Sequence, residues 1–278
     1  MNRRQLISQI QQKQNYLCIG LDTDIEKLPR HLLSHADPVF EFNKALIDAT
    51  KDHCVSYKIN TAFYEAMGIK GWESLQKTIE YIPSTHFTIA DAKRGDIGNT
   101  SAQYAKAFFE VYGFDAVTVA PYMGEDSIRP FLDYKDKWTI VLGLTSNKGS
   151  EDFEQLMVQG ADNQQRLYEA VMQKVATWGT NENLMFVAGA TQAEHLAAIR
   201  QQFPELFFLV PGVGAQGGSL ADVSKAALTK DAGLLINVSR AVIYAANDES
   251  FAEKAATEAT TYANEMKELF SAFPGRHI

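Results

Sequence analysis

Eight short apolar runs recur along the chain, at residues 16–22, 55–60, 86–93, 116–121, 138–144, 184–190, 207–211 and 233–238. They are rich in Val, Ile, Leu and Phe and do not alternate with polar residues, the pattern of strands buried on both faces. Segments with helical spacing stand between them: residues 40–53, a long stretch after Asn60 to about Tyr81, a helix from Ser101 to about Gly113, and a last amphipathic helix over 251–270. Eight strands, each followed by a helix, predict a parallel α/β architecture. In one chain of 278 residues that is a single (β/α)8 TIM barrel, one domain spanning residues 1–278. A doubly wound open sheet is the alternative. The longest irregular piece, residues 146–163, reads as a functional lid or a mobile loop.

In a (β/α)8 barrel the working residues lie at the C-terminal ends of the strands. Here those ends are polar. The first run ends in Asp22, the second in Lys58 and Asn60, the third in Asp91 and Lys93; the fifth runs into Thr145-Ser146-Asn147, and the eighth ends in Asn237 before Arg240. Strand residues two apart share a face, so Asp91 and Lys93 should project together. Gly95 then breaks the strand, Asp96 brings a second carboxylate near the same lysine, and Thr100 is placed to cap the following helix. Charged groups from several strands on one mouth are costly unless something uses them.

A second informative stretch is Pro211-Gly212-Val213-Gly214-Ala215-Gln216-Gly217-Gly218. Its G-x-G-x-x-G spacing suggests a dinucleotide site, but it follows the seventh strand rather than the first, and no acidic residue closes the next strand. Glycine-rich backbone after strand seven and Arg240 after strand eight match a barrel phosphate site instead. Backbone N–H groups would hold phosphate oxygens, with Gln216 and Arg240 adding donors.

Composition narrows the field. A net charge of −8 and a sequence pI near 5.3 argue against a general nucleic-acid or membrane-surface binder. The amino-terminal residues carry no apolar leader and no run is long enough to span a bilayer, so the expected location is the cytoplasm. Cys18 and Cys54 belong to no C-x-x-C and read as buried free thiols. No clustered Cys/His pattern suggests a metal site, no cofactor motif is evident, and the six scattered histidines are given no catalytic role.

Taken together, Gly20-Leu21-Asp22, the D-x-K-x-x-D stretch from Asp91 to Asp96 with Ile97-Gly98-Asn99-Thr100, the Pro211–Gly218 stretch and Arg240 resemble the orotidine 5'-phosphate decarboxylases, and specifically their longer branch. The resemblance implies cofactor-independent decarboxylation of a nucleotide substrate, orotidine 5'-monophosphate, by a homodimer with shared sites. It implies that Lys93 protonates C6 of the pyrimidine and that Asp91 lies against the substrate carboxylate. Asp22 and Lys58 would contact the ribose. Asp96, followed by Thr100, would reach the neighbouring subunit's site. Ser146 would hold the ring, with Thr145 or Asn147 as alternatives. Pro211, Gly214, Gln216 and Arg240 would form the phosphate end. Two other readings compete. Sister barrels that act on sugar phosphates use magnesium, with a glutamate expected near the end of strand two, where this chain has Lys58-Ile59-Asn60. A barrel that binds nucleotide without turnover is the second.

Overall fold

The computed structural model describes residues 1–160, 164–190, 193–214 and 218–273. Eight parallel strands close into a barrel: β1 (Leu17–Gly20), β2 (Ser56–Asn60), β3 (Phe87–Arg94), β4 (Ala116–Val119), β5 (Trp138–Leu144), β8 (Leu184–Ala188), β9 (Phe207–Pro211) and β10 (Leu234–Val238). Two further short strands, β6 (Met157–Gln159) and β7 (Gln164–Arg166), pair antiparallel in the β5–β8 connection. β1 closes the circle by pairing with both β2 and β10. Every residue of β1, β4, β8 and β10 is buried, as strands packed between a barrel interior and a helical shell must be.

The register places the polar strand ends at one level. Gly20 pairs with Lys58, Asn60 with Asp91, and Asn237 with Pro211. Gly20 is required there: a Cβ on it would lie 1.9 Å from Ser239 Oγ. The opposite mouth is closed by a helix that the apolar pattern does not announce, Arg3–Lys13, which opens with a reciprocal Asn2–Gln5 capping box and buries Leu6 and Ile10. Met1 is tied in as well, its carbonyl accepting from Trp138 Nε1 at 3.1 Å.

Three local expectations change. The stretch after Asn60 is two helices, Thr61–Glu65 and Ile69–Tyr81, broken at Gly68, whose φ is +65°. Gly71 lets the second pass close to the first, since a Cβ there would meet Tyr64 O at 1.8 Å. The helix expected from Ser101 begins at Gly98 with Ile97 as its cap residue, so Thr100 lies inside the first turn and is not the cap. Residues 146–163 are not wholly irregular, because they hold a 3-10 turn, Lys148–Asp152, and the β6 arm of the small hairpin. Among the described residues no helix is long and apolar enough to cross a membrane. Cys18 and Cys54 are buried free thiols, each pushed up to about 12 by burial, which leaves them poor nucleophiles.

Candidate active site

Four side chains form an alternating line of charge across the mouth. Asp22, just past β1, accepts from Lys58 Nζ at 3.1 Å; Lys58, on β2, also donates to Asp91 Oδ2 at 3.0 Å. Asp91 Oδ1 in turn accepts from Lys93 Nζ at 2.6 Å. Lys58 is buried and Asp91 nearly so, whereas half of the Lys93 side chain is exposed. The line therefore runs from a fixed buried cation to a lysine with its end in the open cavity.

Asp91 is fully engaged. Thr118 on β4 donates to its Oδ1 at 3.0 Å, so its two oxygens receive three donors. Burial opposes the Asp91 charge, but Lys58 and Lys93, through charge and hydrogen bonds, prevail and hold the carboxyl well below the usual carboxylate range. Burial opposes the Lys58 charge too, and Asp22 and Asp91 overcome it, raising that pKa above the ordinary lysine value.

Asp91 and Lys93 do meet, though not through a simple pleat. The β3–β4 register shifts between Ala90 and Arg94, and Lys93 has φ of +45°, a left-handed conformation rare for a side chain of this size. Its N–H is held by Thr118 Oγ1 at 2.9 Å. One threonine hydroxyl thus accepts from the strained lysine and donates to the aspartate. Arg94, next in line, turns outward to pair with Glu65 and lies over the rings of Tyr104 and Phe108.

Two adjoining cavities meet at this line and share Lys58, Asp91, Pro211 and Asn237. One, about 190 Å³, is polar and runs from Asp22 past Gly212 and Ser239 to Arg240. The other, about 420 Å³, has Leu142, Val187 and Leu209 on its walls and Lys93, Thr145, Ser146, Asn147 and Glu154 around its rim. The first suits an anionic end of a ligand; the second suits a flat ring with polar edges. Arg240 is exposed, and among the described residues no carboxylate pairs with it.

Several expected site residues stand elsewhere. Asp96 makes no ion pair with Lys93; its carboxylate accepts from Ile97 N at 2.7 Å, and Thr100 is exposed one turn into the next helix. The expectation that Asp96 sits beside Lys93 of its own chain is therefore corrected: the left-handed bend at Lys93 and the turn at Gly95 carry it away. Gly214 adopts φ of +76° and its N–H donates to Gly218 O at 3.0 Å, so that N–H is engaged within the loop. Gln216 lies outside the described residues. Thr118 and Glu154 are site residues that the sequence did not single out, whereas Asn237, read there as a polar strand end, lines both cavities. The one signal for Thr118 was a polar residue inside an apolar strand. Glu154 had none.

Comparisons with known proteins give the family. The model of the orotidine 5'-phosphate decarboxylase / HUMPS family matches residues 15–255. The chain is 57% identical over 272 residues to an orotidine 5'-phosphate decarboxylase of Flavobacterium johnsoniae, covering 97% of this chain and 98% of that one. It is 56% identical over 269 residues to the enzyme of that name from Christiangramia forsetii, covering 96% and 97%. Among solved structures, Leishmania donovani OMP decarboxylase superposes with a TM-score of 0.80 at 37% identity, covering 96% of this chain and 99% of that one. Near-full-length agreement in sequence and fold leaves one conclusion: the chain belongs to the orotidine 5'-phosphate decarboxylase / HUMPS family.

Proposed function

We propose that Lys93 is the proton donor in the decarboxylation of orotidine 5'-monophosphate to uridine 5'-monophosphate, with the nucleotide laid across both cavities. The reaction is a step of de novo pyrimidine nucleotide synthesis, and the near-full-length relatives carry that enzyme's name. The observation that carries the assignment of roles is the Asp22–Lys58–Asp91–Lys93 line at the junction of a polar cavity and an apolar-walled one.

In this reading Arg240 and Gln216 take the phosphate, while Pro211 and Gly214, whose N–H is already engaged with Gly218 O, shape the glycine-rich loop around it. Asp22 and Lys58 take the ribose hydroxyls, and Ser146 faces the pyrimidine edge. C6 then lies at Lys93. Breaking the C6–carboxylate bond leaves an electron pair in an sp² orbital that the ring delocalises poorly. The Lys93 ammonium stabilises that developing charge and transfers its proton to C6, so a C–H bond replaces the C–C bond and CO2 leaves. The neutral amine is reprotonated from solvent. Because charge appears at C6 only as CO2 departs, the ammonium favours the transition state over the ground state. Asp91, pinned by three donors, keeps Lys93 aimed and lies against the departing carboxylate. Phosphate binding far from C6 supplies energy that orients the ring. No cofactor and no metal take part in this scheme.

The active form in this reading is a homodimer in the cytoplasm, a single barrel domain per subunit, with Asp96 and Thr100 completing the partner's site. What supports the dimer is the apolar surface beside them: Ile97 is 55% exposed, Met123 47% and Tyr122 94%. These are large side chains to leave in water around a loop that carries an unpaired carboxylate.

The test is turnover of orotidine 5'-monophosphate by purified protein with a chelator present, beside Lys93→Ala. Conversion by the wild type and a loss of about 10⁴-fold or more in the variant is expected. A requirement for magnesium would return the assignment to the sugar-phosphate branch, and nucleotide binding without turnover would favour a non-catalytic barrel.

A further inference from the structure

Glu154 is a carboxylate on the rim of the apolar-walled cavity, and the mechanism above does not use it. It comes from the β5–β8 connection, nine residues beyond Thr145, and reaches back to the end of β5. Its Oε2 accepts from Thr145 N at 2.7 Å and its Oε1 from Thr145 Oγ1 at 2.8 Å. Its own carbonyl accepts from Tyr168 N at 2.9 Å, at the start of the helix Leu167–Ala176. One residue therefore fastens the start of the connection to the first turn of its helix.

The Thr145 hydroxyl lies between two oxygens, Glu154 Oε1 and, at 2.6 Å, Asn147 Oδ1. It has one proton to give. The charged carboxylate is the stronger acceptor, so the proton goes to Glu154 and the Asn147 amide turns to present its NH₂ to the hydroxyl. Thr145 and Asn147 are then both committed to holding the loop. The next residue after Thr145 is Ser146, whose other side is walled by Gly189. A Cβ on Gly189 would stand 3.0 Å from the N, Cα and Cβ of Ser146. Ser146 is thus fixed between a clamp and a wall.

We infer that Glu154 is a positioning residue for the pyrimidine: by locking Thr145 through two charge-assisted hydrogen bonds it sets Ser146 at the ring's edge. This rests on the functional reading above and adds to it the group that fixes the base contact. The clamp acts on the ring cavity alone; Arg240 and the phosphate end lie in the other cavity and are held by different strands.

The experiment measures binding of uridine 5'-monophosphate and of ribose 5-phosphate to wild type, Glu154→Ala, Glu154→Gln and Thr145→Val by calorimetry, after wild-type turnover has been confirmed. Failure of the functional reading would show in that first assay; failure of the clamp shows only in the variants. Glu154→Ala should weaken uridine 5'-monophosphate binding by about 10- to 100-fold and leave ribose 5-phosphate binding unchanged. Glu154→Gln keeps an oxygen for Thr145 N and an amide for its hydroxyl, and should recover most of the loss. Thr145→Val removes one of the two bonds and should show a smaller loss, again for the nucleotide only; it carries the test if Glu154→Ala does not fold. Equal losses for both ligands, no loss for either, or no rescue by glutamine would each overturn the inference.

Discussion

Lys58 is the residue on which the charge line depends most. It is buried between two carboxylates, and removing one member of a buried ionic set leaves the others without compensation. Lys58→Met should therefore cost about 3–5 kcal/mol in urea unfolding, more than the loss of a surface pair. Activity should fall with it, because Asp91 loses one of three donors. Acid acts on the same line from the other side. The Asp91 carboxyl is held below its ordinary range, so its stabilising effect is fully present above the unfolded pKa of about 4 and is lost as pH falls below it. The Lys58 pKa is raised, so its contribution is intact at and below the ordinary lysine pKa and is lost only in stronger alkali. Unfolding free energy should hence decline below about pH 4 more steeply in the wild type than in Asp91→Asn, whose reference stability is lower throughout. Parallel acid limbs for the two proteins would remove Asp91 from this account.

Among the elements, the eight strands were legible in the sequence, because strands buried on both faces must read as unbroken apolar runs. The polar residues that end them were legible for the same reason: each interrupts such a run. Elements set by other forces were not. Helix Arg3–Lys13 is mostly polar and depends on a capping box and two buried apolar residues, so its apolar signal is thin. The bulge that sets Lys93 at φ of +45° is imposed by Thr118 on a neighbouring strand, and within Val117-Thr118-Val119 that threonine looks like an ordinary strand former. Glu154 finds Thr145 only once the Lys148–Asp152 turn folds the chain back on itself, which no pattern of apolar residues marks. Arg200 shows the same principle at the barrel's other end. It is buried, lies 4.0 Å from the Phe208 ring, and donates to the carbonyls of Phe203, Leu206, Ala227 and Gly233 at 2.7–2.9 Å. It joins a helix, two loops and the approach to β10, and among the described residues no carboxylate pairs with it. Arg200→Met should lower stability by about 3 kcal/mol, since four buried carbonyls each lose a donor, with Gly233 O keeping a second one from Phe208 N. The kcat of the folded fraction should not change, because this end of the barrel takes no part in the chemistry. A change in kcat with stability intact would contradict that division between the two ends.

At the scale of the molecule, the line of charge stops one group short of the set expected for the site. Asp91 is in place beside Lys93, while Asp96 points away from it and its loop is ringed by exposed Ile97, Tyr122 and Met123. A carboxylate that leaves its own site beside an apolar surface is well placed to serve a second copy, and a two-fold interface would make the exchange reciprocal. Complementation tests this without disturbing the surface. Lys93→Ala lacks the proton donor of its own site, and Asp96→Ala lacks the group it lends. In a mixed dimer one site then carries both lesions and the other carries neither. After unfolding and refolding an equimolar mixture, half the dimers are mixed, so about a quarter of wild-type activity should return from two proteins that are each nearly inactive. Mixing without refolding should restore activity only as fast as subunits exchange. If Asp96 instead served its own chain, every site in every dimer would retain a lesion and no activity would return. Tyr122→Glu places a charge in the apolar surface and should shift the protein toward monomer, with activity falling in step with the dimer fraction measured by sedimentation.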